Sequence, residues 1–394
     1  MTGLQYDIGA IGGDTGVAIA KLLPEIADRA TETEQARRLP ADLAAKMAEA
    51  GAFNLSKPAS LGGLELPPLE FMQIIETIAE ADASAGWCAM IAVTSTLGAA
   101  YMDEKPAADI FGPDDVITGG VFAPMGKAED KGDHYLLSGQ WQWGSGSANC
   151  SWLGGGAMIF KDGELQKFDN GAPYHRMLFF PVADVEFIDS WHVAGMKGTG
   201  SGDFSVKDLK IPKDRSVSFV ADRPRDTGAL YKFPLFGLLA LGVSSVALGN
   251  ARAALEEIKQ VAITKKTPGG GRSMAQRATV QLDIARATAQ LGGAFSFLES
   301  AVGKAWQEAQ GEGDISVKAR SDLRLACAHA TEVSADVCKT AYTLGGGGAV
   351  YSSSSLQRRF RDAHVATQHI ATAPAVFELA GRTLLEQPVD MAML

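Results

Sequence analysis

Apolar positions in this chain recur at three- and four-residue spacing towards both ends and at two-residue spacing in the middle. Val17–Ala27 has the helical pattern, as does Pro40–Ala50, where Pro40 suits a first turn and Gly51 a C-terminal cap. A Gly- and Pro-rich stretch over Lys57–Pro68 predicts a loop. Helical spacing returns over Leu69–Ala81 and again from Asp82 to Met102. From Val116 the period changes. Short runs at Val116–Phe122, His134–Trp143, Met158–Phe160, Met177–Val182, Val185–Asp189 and Phe204–Ile211 are separated by Gly, Asp and Pro and predict six or more strands. Beyond Tyr231 four long helical patterns follow: Leu235–Gln260, Met274–Gln310, Ile315–Leu344 and Leu356–Leu385, the last interrupted at Pro374. The expected class is α+β. It comprises an N-terminal helical domain (1–115), a middle β-domain (116–215) and a C-terminal four-helix bundle (225–394).

Composition narrows the function without naming it. Apolar residues make up 46% and charged residues 21% of 394, enough for a large buried core. A net charge of −10 with no basic run gives no reason to expect nucleic acid as a partner. The four cysteines form no C-x-x-C pair, which favours reduced thiols in a cytoplasmic protein. Acidic residues Asp7, Asp14, Glu25 and Asp28 at the start are unlike a signal peptide. The apolar run over Phe233–Leu248 is short of a membrane span. No metal site is expected: His364 and His369 are five apart, and no carboxylate lies three or four residues from either.

Three segments carry chemistry. They are Ser138-Gly-Gln-Trp-Gln-Trp-Gly-Ser-Gly-Ser147, Trp191-His-Val-Ala-Gly-Met-Lys-Gly-Thr-Gly-Ser201 and Arg361-Asp-Ala-His-Val-Ala-Thr-Gln-His369. In this order and at these separations they resemble the flavin-binding body of the acyl-CoA dehydrogenase superfamily. Dehydrogenases of that family commonly carry a catalytic Glu in a Tyr-Glu-Gly-Thr segment after their Arg-Asp-Ala. Counted from Arg361, that Glu falls on Ile370, with His369 in the Tyr position. Isoleucine cannot remove a proton. The resemblance therefore points to the two-component, flavin-dependent monooxygenase branch.

That resemblance implies a set of site residues. Ser145 would hydrogen-bond near flavin N5, and Gly144 and Gly146 would let the backbone approach the ring. Phe122-Ala123-Pro stands where dehydrogenases have Thr-Glu-Pro at the pyrimidine edge. Trp143, Trp191, Thr199 and Ser201 would line the flavin. Arg272, Gln281, Gly345 and Gly346 match positions that grip the dinucleotide part across a subunit interface. His369 is the first-choice catalytic residue, with Ser145 assisting it, because imidazole titrates near working pH. Trp87, Phe122 and His369 would contact an indole-type or phenolic substrate. The implied reaction inserts one atom of O2 through a C4a-hydroperoxide on reduced FMN or FAD, FADH2 being the first choice. No nicotinamide fingerprint is present, so a separate NAD(P)H-dependent flavin reductase would supply the flavin. A homotetramer is also implied. The alternative is an acyl-CoA dehydrogenase or oxidase whose base has moved to Glu256, Glu257 or Glu299.

Overall fold

The computed structural model describes residues 6–265, 273–391 and 394. Arg272, one of the dinucleotide candidates, lies outside them. Six helices come first: α1 (Ile8–Asp28), α2 (Ala30–Ala36), α3 (Ala41–Glu49), α4 (Pro68–Ala81), α5 (Ala83–Ser95) and α6 (Glu104–Phe111). Asp82 starts α5 by accepting a hydrogen bond from Ala85 N at 2.9 Å, the N-cap its position suggests. Past Ser95 the chain tightens into a 3₁₀ turn over Thr96–Tyr101, so the helical pattern to Met102 is realised in two geometries.

Eight strands then form one mixed sheet: β1 (Thr118–Asp130), β2 (His134–Trp141), β3 (Trp152–Lys161), β4 (Glu164–Leu165), β5 (His175–Pro181), β6 (Glu186–Ile188), β7 (Asp203–Pro212) and β8 (Ser216–Val217). Their order is β6-β7-β2-β1-β3-β5-β8, with β4 on β3 and only the β1–β3 pairing parallel. Trp141 anchors the sheet core. It is fully buried, stacks on Phe204 and donates its indole N–H to Gly156 O at 2.8 Å. The β1–β3 register breaks between Val121 and Gly126. The break bulges Phe122-Ala-Pro out of the ladder, where Pro124 has no N–H to lose.

The C-terminal helices are α7 (Leu235–Thr264), α8 (Ala278–Ala309), α9 (Val317–Gly345), α10 (Ser355–Ala366) and α11 (Ala375–Leu384). The expected fourth long helix is two. Helix geometry stops at Ala366, well before Pro374, and residues 367–374 form consecutive turns. Two segments, Ala83–Tyr101 and Leu235–Thr264, are apolar and long enough to cross a membrane, but 89% and 83% of their apolar windows are buried within this fold.

Helices α4, α5 and α7 meet closely enough that side-chain size is decisive. A Cβ on Gly249 of α7 would lie 2.1 Å from Glu76 O and 3.0 Å from Ala79 Cβ of α4. Arg252, one turn on, pairs with buried Glu76 and with Glu80. Gly249→Ala is therefore expected to lower stability by roughly 1–3 kcal/mol through overpacking. Thermal unfolding should show a midpoint several degrees lower; an unchanged midpoint would mean that the α4–α7 contact is slack.

Candidate active site

Two of the chemistry-bearing segments lie side by side. Gly144 N donates to Gly202 O at 3.0 Å, and Gly146 N donates to Thr199 O at 2.8 Å. Just before these ties, Trp143 takes a left-handed backbone (φ 64°) and is 61% exposed. A bulky residue rarely accepts that conformation, and here an aromatic face is turned outward instead of into the core. The two glycines also meet demands of the fold itself. A Cβ on Gly144 would sit 2.7 Å from the Phe204 ring, and Gly146 (φ 71°) faces Cys88.

Ser145, Ser201 and Thr199 are buried and hydrogen-bonded in series. Trp87 Nε1 donates to Ser145 Oγ at 3.0 Å. Ser145 Oγ lies 2.6 Å from Ser201 Oγ, which lies 2.6 Å from Thr199 Oγ1. Thr199 Oγ1 donates to the Met196 carbonyl at 2.7 Å. A carbonyl only accepts, so Thr199 has spent its one hydrogen. Ser201 must then donate to Thr199, and Ser145 to Ser201. The chain runs one way, from Trp87 to Met196. Ser145 has no hydrogen left for a ligand but keeps one lone pair. It is an acceptor.

The Met196 peptide is itself pinned. Its N–H donates to Asp362 Oδ1 of α10 at 2.5 Å, and its carbonyl also receives Trp191 Nε1 at 3.0 Å. Arg361 Nη1 bonds the neighbouring Ala194 carbonyl, and Arg361 Nη2 bonds Glu34 at 2.6 Å. A Cβ on Gly195 would lie 2.4 Å from the Arg361 carbonyl group, so only glycine allows this approach. Burial holds the Asp362 carboxyl up at about 7 despite the Met196 N–H, which pulls the other way. Trp191 and Asp362 thus build the loop.

His369 sits in the turn after α10, not on a helix face. Its ring meets Trp87 edge-on, centroids 5.5 Å apart. Ala371 N donates to His369 Nδ1 at 3.2 Å, which occupies that lone pair. The neutral ring therefore carries its proton on Nε2. Burial first, and the charge of Arg324 second, lower its pKa to about 4. At neutral pH His369 is an uncharged N–H donor. Ile370 beside it is 73% exposed.

The remaining predicted residues divide. Phe122 joins an aromatic wall with Phe219 and Phe236, centroids 5.7 and 5.6 Å away, and Ala123 follows it on the bulge. Gln281 and Gly345–Gly346 lie away from this centre. Gln281 is exposed and donates to Ala275 O at 2.9 Å. Gly345 O accepts from Lys265 Nζ at 3.2 Å, and Gly346 ends α9 with φ 61°. Of the relocated-base candidates, Glu256 pairs with Lys259, Glu257 bonds Ser355 and lies near Arg359, and Glu299 is exposed on α8. None is placed at His369. Sequence reading missed Asp362 and Arg324. The only signal for Arg324 was a charge set within the apolar run Leu323-Arg-Leu-Ala-Cys-Ala.

A flavin fits these residues: an exposed indole face, a fixed acceptor at Ser145 and a neutral donor at His369 surround one region. The cavity behind Ser145, lined by Leu39, Phe53, Cys88 and Cys150, is about 10 Å³ and holds one water at most. Trp143 lies on the exposed side of Ser145. The layout of helices, sheet and helices defines an acyl-CoA dehydrogenase-like flavoprotein fold. Family models bear this out: residues 21–105 match the acyl-CoA dehydrogenase N-terminal domain and 241–374 its C-terminal domain. The chain belongs to the acyl-CoA dehydrogenase superfamily. It is 31% identical to indole-3-acetate monooxygenase of Acinetobacter baumannii, covering 93% of each chain. It is 28% identical to the oxygenase component of the FADH2-dependent resorcinol hydroxylase of Rhizobium sp., covering 90% of each. The crystal structure of 3-HSA hydroxylase from Rhodococcus sp. RHA1 superposes with a TM-score of 0.89 at 26% identity, covering 97% of this chain and 99% of that one.

Two predictions come from this geometry. Asp362→Ala leaves the buried Met196 N–H unpaired and is expected to cost about 2–3 kcal/mol in urea unfolding, whereas Asp362→Asn keeps an acceptor and should cost under about 1 kcal/mol. Equal losses would sink the assignment. For His369, the unfolded ring takes up a proton near pH 6.5 and the folded ring only near pH 4. Between those values the unfolded state binds more protons, so acidification costs the native state stability. Relative to His369→Gln, the wild type should lose about 2–3 kcal/mol between pH 7 and pH 4.5. A constant difference would put the imidazole in water.

Proposed function

We propose that this chain is the oxygenase component of a two-component monooxygenase, placing one oxygen atom from O2 into a small aromatic or heteroaromatic substrate, indole-type or phenolic. The observation that carries the reading is a neutral, donor-only His369, joined through Trp87 to a one-way hydroxyl chain, beside an Ile370 that offers no carboxylate. Such a site does not abstract an α-proton from a thioester. It holds a reactive oxygen in place and keeps protons out.

Reduced flavin, when bound, supplies the electrons that activate O2. FADH2 is favoured over FMNH2, as the resorcinol hydroxylase's name also suggests. Ser145, whose remaining lone pair can only accept, suits the N–H that a flavin carries at N5 in its reduced form. Trp143 and Trp191 bound the flavin side, with Thr199 and Ser201 behind Ser145 keeping its polarity. Phe122 and Ala123 would face the pyrimidine edge. His369 Nε2–H would supply a hydrogen bond to the oxygen being transferred or to the substrate's hydroxyl. Trp87 fixes the ring's tilt, and the Phe122–Phe219–Phe236 wall excludes water and receives an aromatic ring.

The reductase that serves it uses NAD(P)H, and the setting is cytoplasmic, as suits four buried, free cysteines. A homotetramer accounts for exposed apolar residues such as Tyr351, Leu384, Leu385 and Phe297 on and beside the C-terminal helices. Gln281, Gly345 and Gly346 then serve the dinucleotide end across an interface.

Under ¹⁸O2, with reduced FAD supplied chemically, indole or phenol products should carry one labelled oxygen, and the protein should delay the return of flavin to its oxidised absorbance. His369→Ala should cut the product formed per flavin oxidised by about 10²-fold or more with flavin affinity retained. His369→Gln, which keeps an N–H, should retain more. Anaerobic flavin reduction by an acyl-CoA, with no labelled product, would overturn the reading.

A further inference from the structure

Arg324 on α9 is 1% exposed, yet it has no counter-ion among the described residues. Its Nη1 donates to the Phe236 carbonyl at 2.8 Å. Nε is buried with no partner, and no described residue bonds Nη2. Nε and Nη2 form the side edge of the guanidinium, whose two parallel N–H groups match the two oxygens of a carboxylate. Burial disfavours its charge, and its titratable neighbours offer no anion: Cys327 is a neutral thiol held up at about 12, and His369 is an uncharged imidazole. An unpaired buried cation is costly, and proteins keep one where something else completes the pair.

The position of this edge says what that something meets. Phe236, whose carbonyl holds Nη1, sets its ring against Phe122 in the aromatic wall. Leu323, the preceding residue, contacts Gly237, fixing α9 against the start of α7. On another side the charge of Arg324 reaches His369. The free edge therefore borders the same region as the wall and the imidazole. The carboxylates nearest in sequence or fold are committed elsewhere: Asp362 to Met196 N, Asp322 to Lys318 and Glu332 on the outer face of α9.

We propose that Arg324 is the carboxylate-binding residue of the substrate site, and that the substrate is an aromatic acid, its ring against Phe122 and Phe236 and its carboxylate side-on to Nε and Nη2. This rests on the monooxygenase reading above and narrows it. Neutral aromatics then bind weakly because they leave the guanidinium unpaired, and selectivity comes from that penalty as much as from attraction.

The test is anaerobic calorimetry on the protein loaded with reduced FAD, using indole-3-acetate against indole-3-acetamide and 4-hydroxyphenylacetate against its amide. In the wild type at least one acid should bind about tenfold or more tighter than its amide. Arg324→Met should bring that ratio close to one, and Arg324→Lys should keep part of it. Parity of acid and amide in the wild type overturns the proposal without recourse to any variant, which covers the case of a variant that does not fold. A ratio unchanged in a folded Arg324→Met also overturns it. So does a loss of reduced-FAD affinity in that variant with the ratio intact, since the guanidinium would then serve the flavin. Labelled oxygen entering acid and amide with equal efficiency leaves the monooxygenase reading standing and removes this inference alone. No labelled product and no delay in flavin oxidation would remove both.

Discussion

The peptide group at Met196 is the point on which the active region hangs. Its N–H is held by Asp362 and its carbonyl collects both the Trp191 indole and the Thr199 hydroxyl. Because the carbonyl can only accept, it gives direction to every hydroxyl upstream: Thr199, Ser201, Ser145 and finally Trp87. Trp87 in turn meets His369, seven residues beyond Asp362 on the same C-terminal segment. The chain of contacts closes on itself, from α10 through the β-domain and α5 back to the turn after α10. Sheet and helices are held in a common register by it. Gly195, lying against the Arg361 backbone, is what lets the two come close enough.

Charge in the same region is either removed or, as at Arg361 and Glu34, paired, with one exception. Burial lifts the Asp362 carboxyl to about 7 and lowers His369 to about 4, so near neutrality one is half protonated and the other is uncharged. The buried thiols of Cys88, Cys150, Cys327 and Cys338 are pushed up and stay neutral. A reactive oxygen species survives best in a place with few mobile protons and little water. Arg324 is the exception, a permanent cation kept beneath an aromatic wall with its best hydrogen-bonding edge free. Guanidinium cannot discharge itself as imidazole does. Among the described residues no carboxylate pairs with it, which is what the proposed aromatic acid would supply.

Much of this was legible in the chain. A period near 3.6 at the ends and of two in the middle already separates helical from sheet regions, because one face of each element must be buried. The missing carboxylate at Ile370 was equally readable, since it is an identity at a counted position. The break after Ala366 was not. Periodicity continues through it, but the side chains compete with the helix for backbone groups: His369 Nδ1 takes the N–H of Ala371, and Thr372 Oγ1 bonds Ala366 O at 3.4 Å. Nor does spacing show that Gly144 lies against the Phe204 ring or that Gly146 takes a left-handed backbone (φ 71°).

What pattern and residue identity decide, then, is the order and kind of elements, the superfamily's motifs and the absence of a base, since each is a property of residues close together along the chain. What folding decides is polarity and placement. The direction of the hydroxyl chain needs Met196, Thr199, Ser201, Ser145 and Trp87 in contact. The tautomer of His369 needs a turn that periodicity conceals. Asp362 acquires its partner from 166 residues away. The open edge of Arg324 exists only because α9 lies against the start of α7. Hydrogen-bond direction and the cost of an unpaired charge depend on which groups have been brought together and which water has been expelled, and no spacing along a chain records either.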